Sequence, residues 1–154
     1  MKLTVKVLFF LLLNFTALAI GGFFTGDGVA SDWYYNLHKA PWTPPGWAFG
    51  VAWSTIMICY SFYMAILYKA NPKRNKIITL YVVQLLFNVA WNPLFFYFQN
   101  PSIALFSILS LTIIVAYFLF SNRKLMRWNS LLILPYFIWL CIASSLNLFI
   151  VTYN

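Results

Sequence analysis

The sequence contains no glutamate at all. Its only acids are Asp27 and Asp32, its only histidine is His38, and its cysteines are Cys59 and Cys141. Each scarcity excludes a class of chemistry. Paired carboxylates for acid–base work would both have to come from one short segment. A histidine-rich metal centre is excluded, and the two cysteines match no metal-ligand spacing. They read as small packing residues within apolar spans. No nucleophile-elbow motif accompanies His38, so a Ser-His-Asp arrangement has no support. His38 reads as a loop residue near a membrane face and not as a haem ligand. No metal and no required cofactor are expected. Ion-driven pumps carry ionisable groups inside the bilayer, and the long apolar runs here hold none away from their ends. Gly-rich phosphate loops and transporter-type internal repeats are absent too.

What is present is apolar surface. Hydrophobic residues make up 63% of the chain and charged residues 8%, against roughly 25% charged in soluble domains. Four runs carry no charge: Val7–Gly26, Ala40–Tyr68, Ile77–Asn122 and Trp128–Asn154. A helix needs about 20 apolar residues to cross the hydrocarbon. The third run is long enough for two crossings and is broken by "QNPS" at Gln99–Ser102, a turn signal. The expectation is an all-α integral membrane protein. It is a single domain (1–154) of five transmembrane helices near 6–25, 45–68, 77–97, 102–121 and 131–152. The start, "MKLTVKVLFFLLLNFTALA", has the layout of a secretory leader. The apolar run continues through "IGGFF" to full span length, which favours a first membrane helix.

The net charge of +8 is distributed in a way that argues against a nucleic-acid partner. Of the ten basic residues, only Lys39 falls on the same side of a five-helix arrangement as the two aspartates. This bias predicts a cytoplasmic N-terminus and an external C-terminus. Contact with anionic membrane lipid accounts for the basic loops.

The third span, "YVVQLLFNVAWNPLFFYF", places Gln84, Asn88 and Asn92 four residues apart, with Trp91 beside them. Residues at this spacing share a helix face, and amides facing lipid are costly. The stripe therefore points into the bundle, as interhelical glue or as the wall of a pocket. Pro93 predicts a kink. The fifth span puts Trp139, Ala143 and Asn147 at the same spacing, with Tyr136 a turn earlier. The second offers Trp53, Met57, Tyr60 and Met64. Such stripes form core, lipid interface or ligand site; Trp128 and Trp33 fit the interfacial belt. Taken together, indoles near amides suit a large, flat, mostly apolar ligand with polar edges. A porphyrin fits that description better than a sugar, nucleotide or ion.

Residues 26–44 form a connector too long and too aromatic to be a plain turn. Pro41, Pro44 and Pro45 stiffen it, the last two where the second helix begins. Trp33, Tyr34, Trp42 and their neighbours need a surface to pack on, and the open end of the bundle is nearest. The connector is expected to cap a cavity mouth, with Trp42 on the capping segment.

The segment "WYYNLHKAPWTPPGWAFGVAW" (33–53) resembles the signature of the tryptophan-rich sensory protein family. That family is also called the translocator protein or peripheral-type benzodiazepine receptor family. The resemblance runs through Trp33, Tyr34, Leu37, Lys39, Trp42, Pro44, Pro45 and Trp53. "QLLFNVAWNPLFF" (84–96) and "LPYFIWLCIASSLN" (134–147) are similar to its motifs in the third and fifth helices. The resemblance spans nearly the whole chain. It implies five membrane helices, pairing as a homodimer, and a cavity for porphyrins such as protoporphyrin IX. By position, Tyr34, Pro44, Trp53, Asn88, Trp91, Trp139, Ala143 and Leu146 should line that cavity. The implied function is a membrane receptor or sensor in tetrapyrrole regulation or stress response. Two alternatives are light- or oxidant-dependent porphyrin breakdown, with Trp53 and Trp139 as redox partners, and passive carriage of porphyrins or other lipophiles. The tail "NLFIVTYN" lacks the basic residue of the sterol-recognition pattern found in animal members. The small pair Gly21-Gly22 permits close helix packing.

Overall fold

In the computed structural model, residues 2–154 are described. Five helical stretches are long and apolar enough to cross a membrane. The first, α1, runs Leu3–Val29. A short helix α2 follows at Asp32–Asn36, N-capped by Ser31, whose hydroxyl accepts from the Tyr34 amide at 3.2 Å. The second crossing is α3, Gly46–Ala70, with Pro45 as its N-cap residue. The third is α4, Arg74–Asn92, extended by a π-helical turn over Pro93–Tyr97. The fourth is α5, Pro101–Ser121, capped by the Asn100 side chain. A short helix α6, Arg123–Met126, and a 3₁₀ stretch over Arg127–Ile133 lead into α7, Leu134–Tyr153.

Two boundaries differ from the sequence expectation. The connector is shorter than 26–44, because α1 continues through Gly26, Asp27 and Gly28. That extra turn packs on the end of α4, and tertiary contact outweighs the low helix propensity of glycine. Pro93 produces a widened π turn: the Phe98 amide bonds back five residues to the Pro93 carbonyl at 2.9 Å. Proline has no N–H to offer the regular ladder, and the wider turn absorbs the loss.

The crossings form a closed ring. α1 packs on α3 and α4, α4 on α5, α5 on α7, and α7 on α3. The centre is aromatic. Tyr60, Tyr63, Tyr81 and Tyr136 are wholly or almost wholly buried, and the Tyr60 ring lies 5.1 Å from that of Tyr136. Several buried polar groups pair across helices, as an apolar solvent favours. The Tyr81 hydroxyl donates to Asn14 Oδ1 and the Asn14 amide to Ser61 Oγ, each at 2.8 Å, joining α4, α1 and α3. Gln84 Nε2 donates to the Tyr136 hydroxyl at 2.7 Å. Leu8, Phe9, Leu12 and Phe23 of α1 are among many large apolar side chains left on the outside, where lipid replaces water as solvent.

The basic loops gather at one end of the ring. There the ammonium of Lys6 and the guanidinium of Arg74 approach the Tyr68 ring at 5.2 and 5.6 Å. The α1–α3 connector and the C-terminus share the other end, where the His38 amide donates to Asn154 Oδ1 at 2.7 Å.

Candidate ligand cavity

The connector is fastened at two points. Trp33 meets Phe95 edge-on at 5.5 Å, and Tyr34 lies 5.6 Å from Phe96, both on the π turn of α4. At the other side, Trp42 Nε1 donates to Ser145 Oγ at 3.1 Å, and its ring sits edge-on to Phe149 at 5.5 Å. Asn154 Nδ2 returns a bond to the His38 carbonyl at 3.1 Å. Thr43 closes a turn on the Ala40 carbonyl through both its amide and its hydroxyl. A proline-stiffened segment held at both ends is a fixed roof.

Below this roof lies a cavity of about 570 Å³, bounded by α1, α3 and α4, within the usual range for small-molecule sites. Trp53 of α3 and Trp91 of α4 supply indole surface, and Asn88 and Asn92 supply amides. Tyr34, Lys39, Thr43 and Pro44 line it from the roof. A narrow second lobe of about 50 Å³ reaches toward α7 and is lined by Ala143, Leu146 and Asn147. Phe49, Trp91 and Phe96 border both lobes. Oriented to satisfy its neighbours, the Asn147 amide donates to the Pro101 carbonyl at 2.9 Å. Its oxygen accepts from Trp91 Nε1 at 3.3 Å and from the Leu105 amide at 3.1 Å. That arrangement fixes the Trp91 ring.

Gly22, Gly46 and Gly50 also line the cavity and are exposed, and a Cβ on any of them would meet nothing within 4 Å. The cavity therefore opens sideways between α1 and α3. Gly21 has the opposite surroundings: a Cβ there would stand 2.6 Å from Asn92 Nδ2. Its close packing is within the chain.

Lys39 was not among the lining residues expected from the sequence. Its ammonium lies 4.4 Å above the Tyr34 ring and 3.5 Å from the Tyr35 carbonyl, beside both lobes. The signal was available: Lys39 is the one basic residue on the side of the chain that otherwise lacks them. Burial raises the Tyr34 phenol above its ordinary pKa, which keeps it a neutral donor at the cavity wall.

Of the eight expected residues, Tyr34, Pro44, Trp53, Asn88 and Trp91 border the large lobe and Ala143 the small one, brought together from α2, the connector, α3, α4 and α7. Leu146 joins them in the small lobe. Trp139 does not. It lies in an outer groove between α3 and α7, with the Phe49 ring standing edge-on to it at 5.3 Å. Its Nε1 is buried without a hydrogen-bond partner. Trp42 anchors the roof to α7 and does not itself line the cavity. Trp33 is half-buried against Phe95, whereas Trp128 is 84% exposed. Met57, Tyr60 and Met64 lie in the core beneath the cavity floor, and Cys141 faces outward.

The model of the TspO/MBR family matches residues 9–152. The chain belongs to the TspO/MBR family. It is 34% identical to the tryptophan-rich protein TspO of Archaeoglobus fulgidus, over all of this chain and 97% of that one. It is 31% identical to the protein of the same name from Chlorobaculum tepidum, over 80% of this chain and 81% of the relative. The translocator protein of Bos taurus is 31% identical over 87% of this chain and 84% of its own. TspO/MBR membership and the five apolar helices together make the chain an integral, multi-pass membrane protein.

Proposed function

We propose that this protein is a membrane sensor that binds a tetrapyrrole of the protoporphyrin IX class in the cavity under the connector. The observation that supports this reading is the combination of groups around one enclosure. Two indoles, two amides and one ammonium line it, groups suited to a flat apolar ring with a polar, anionic edge. Porphyrin carboxylates would pair with Lys39, and stacking on Trp53 and Trp91 would hold the macrocycle. The protein would act with no resident cofactor. The basic end would face the cytoplasm, in keeping with the charge bias. Pairing as a homodimer belongs to the same proposal and is tested by crosslinking in native membranes.

The test is a titration of purified protein with protoporphyrin IX in the dark, followed by tryptophan fluorescence. Saturable quenching that weakens in Trp91→Ala supports the reading. Linear quenching identical in both proteins, the signature of partitioning into detergent, would overturn it.

A second reading, passive carriage of a lipophile, draws on the sideways opening between α1 and α3. Such an opening would let a ligand exchange with the bilayer without crossing the roof. Porphyrin flux in sealed vesicles, with and without the protein, separates carriage from binding alone.

A further inference from the structure

We propose a second binding site, at the end of the bundle remote from the cavity, for the headgroup of an acidic phospholipid. The site is a groove of about 760 Å³ where the end of α5 meets α6, the 3₁₀ stretch and the start of α7. Arg123 and Arg127 line it, Trp128 stands at its rim, and Phe120 and Leu134 form apolar wall.

Nothing in the described chain neutralises this charge. Both acids, Asp27 and Asp32, and the C-terminus lie at the opposite end of the bundle. Among the described residues no carboxylate is placed to neutralise the two guanidiniums. Guanidinium groups bind phosphate through parallel hydrogen bonds, and anionic headgroups are the abundant phosphates at this level of a membrane.

The Ser130 side chain supplies an independent observation. It lines the same groove, is 7% exposed, and its hydroxyl has no hydrogen-bond partner. Buried hydroxyls are rarely left unmatched, and a turn of the Ser130 side chain toward the groove would let a phosphate oxygen accept from it. The backbone adds a third. Arg127 has φ 51° and ψ −124°, a region that side-chain-bearing residues seldom occupy and that is found at ligand clamps. Glycine would suit that backbone, yet the chain places an arginine there, on the groove.

The walls choose between two sources of phosphate. A free anion gains nothing from Phe120 and Leu134, whereas the first methylenes of an acyl chain do. A lipid places its phosphate between the arginines and its chain against those two side chains, and Trp128 sits at the interfacial level that indoles favour.

The experiment is native mass spectrometry of the purified protein with a mixture of phosphatidylglycerol and phosphatidylcholine, in wild type and variants. The wild type should retain phosphatidylglycerol in preference. Arg123→Gln with Arg127→Gly should reduce that retention roughly tenfold. Lys124→Gln removes a neighbouring charge that does not line the groove and should leave retention unchanged. Arg127→Gly alone suits the local backbone, so it carries the test even where the double variant fails to fold. Equal retention in Arg127→Gly and wild type would overturn the site. So would equal retention of phosphatidylcholine. Complete displacement by millimolar inorganic phosphate would assign the groove to the free anion and overturn the lipid.

Discussion

Gly28 of α1 lies directly against the Phe96 side chain of α4, so closely that a Cβ at Gly28 would overlap three of its carbons. This contact is where the extended end of α1 meets the π turn, and Phe96 in turn borders both lobes of the cavity. Gly28→Ala should destabilise the protein by about 1–3 kcal/mol through overpacking. That exceeds the gain of roughly 1 kcal/mol from replacing a helical glycine. Gly22→Ala, whose Cβ meets open space, should be neutral or slightly stabilising. Paired unfolding curves in detergent decide the sign.

Asn14 ties α4 to α3 through Tyr81 and Ser61. Asn14→Ala strands the Tyr81 hydroxyl in an apolar interior and should cost about 1–3 kcal/mol. Tyr81→Phe removes one interhelical bond but leaves the Asn14–Ser61 pair, and should cost closer to 0.6 kcal/mol, roughly the average for such bonds in membranes. A similar loss in both variants would show that the network is not a chain with Asn14 at its centre.

Trp53 and Trp91 line the cavity, while Trp139 stands behind Phe49. Alanine at either of the first two should weaken protoporphyrin IX binding by roughly tenfold or more. Trp139→Ala should change it by less than about threefold, through resettling of Phe49. A dark fluorescence titration of the three variants ranks them. A larger effect at Trp139 would move the ligand toward the α3–α7 groove.

Trp42 holds the roof to α7 by one hydrogen bond and one edge contact. Trp42→Ala should raise amide hydrogen exchange across residues 37–45 and speed ligand release. The α2 segment, pinned separately by Trp33 and Tyr34, should keep its protection. Exchange rising equally over 31–45 would mean the two fastenings act as one.

Tyr34 carries a phenol whose pKa burial raises. The fold therefore favours the neutral ring. The stabilisation is complete below the unfolded tyrosine value of about 10 and is lost as pH rises through the folded value. Alkaline loosening of the roof should be smaller in Tyr34→Phe than in the wild type, as read by ligand release above a pH of about 10.

Much of this architecture was legible in the chain itself. Uncharged runs of span length, the QNPS break and the one-sided placement of basic residues determined five membrane helices and their alternation. They do so because the bilayer core admits only backbone that satisfies its own hydrogen bonds. The aromatic, proline-rich connector marked the roof, and the amide and indole stripes marked the helices that face inward.

Only the tertiary structure decided which member of each stripe reaches the cavity. Each four-residue step turns about 40° beyond a full revolution, so three residues so spaced fan across about 80° of helix surface. On α4, Gln84 turns away to Tyr136, whereas Asn88 and Asn92 both reach the cavity, Asn92 also accepting from the Thr25 hydroxyl at 2.7 Å. On α7, Asn147 and Ala143 reach the inner lobe while Trp139 turns to the outer groove. The sequence by itself determined which faces are polar or aromatic. Neighbours far apart in the chain decided the rest, through Phe49 between Trp139 and the cavity and Gly28 giving way to Phe96.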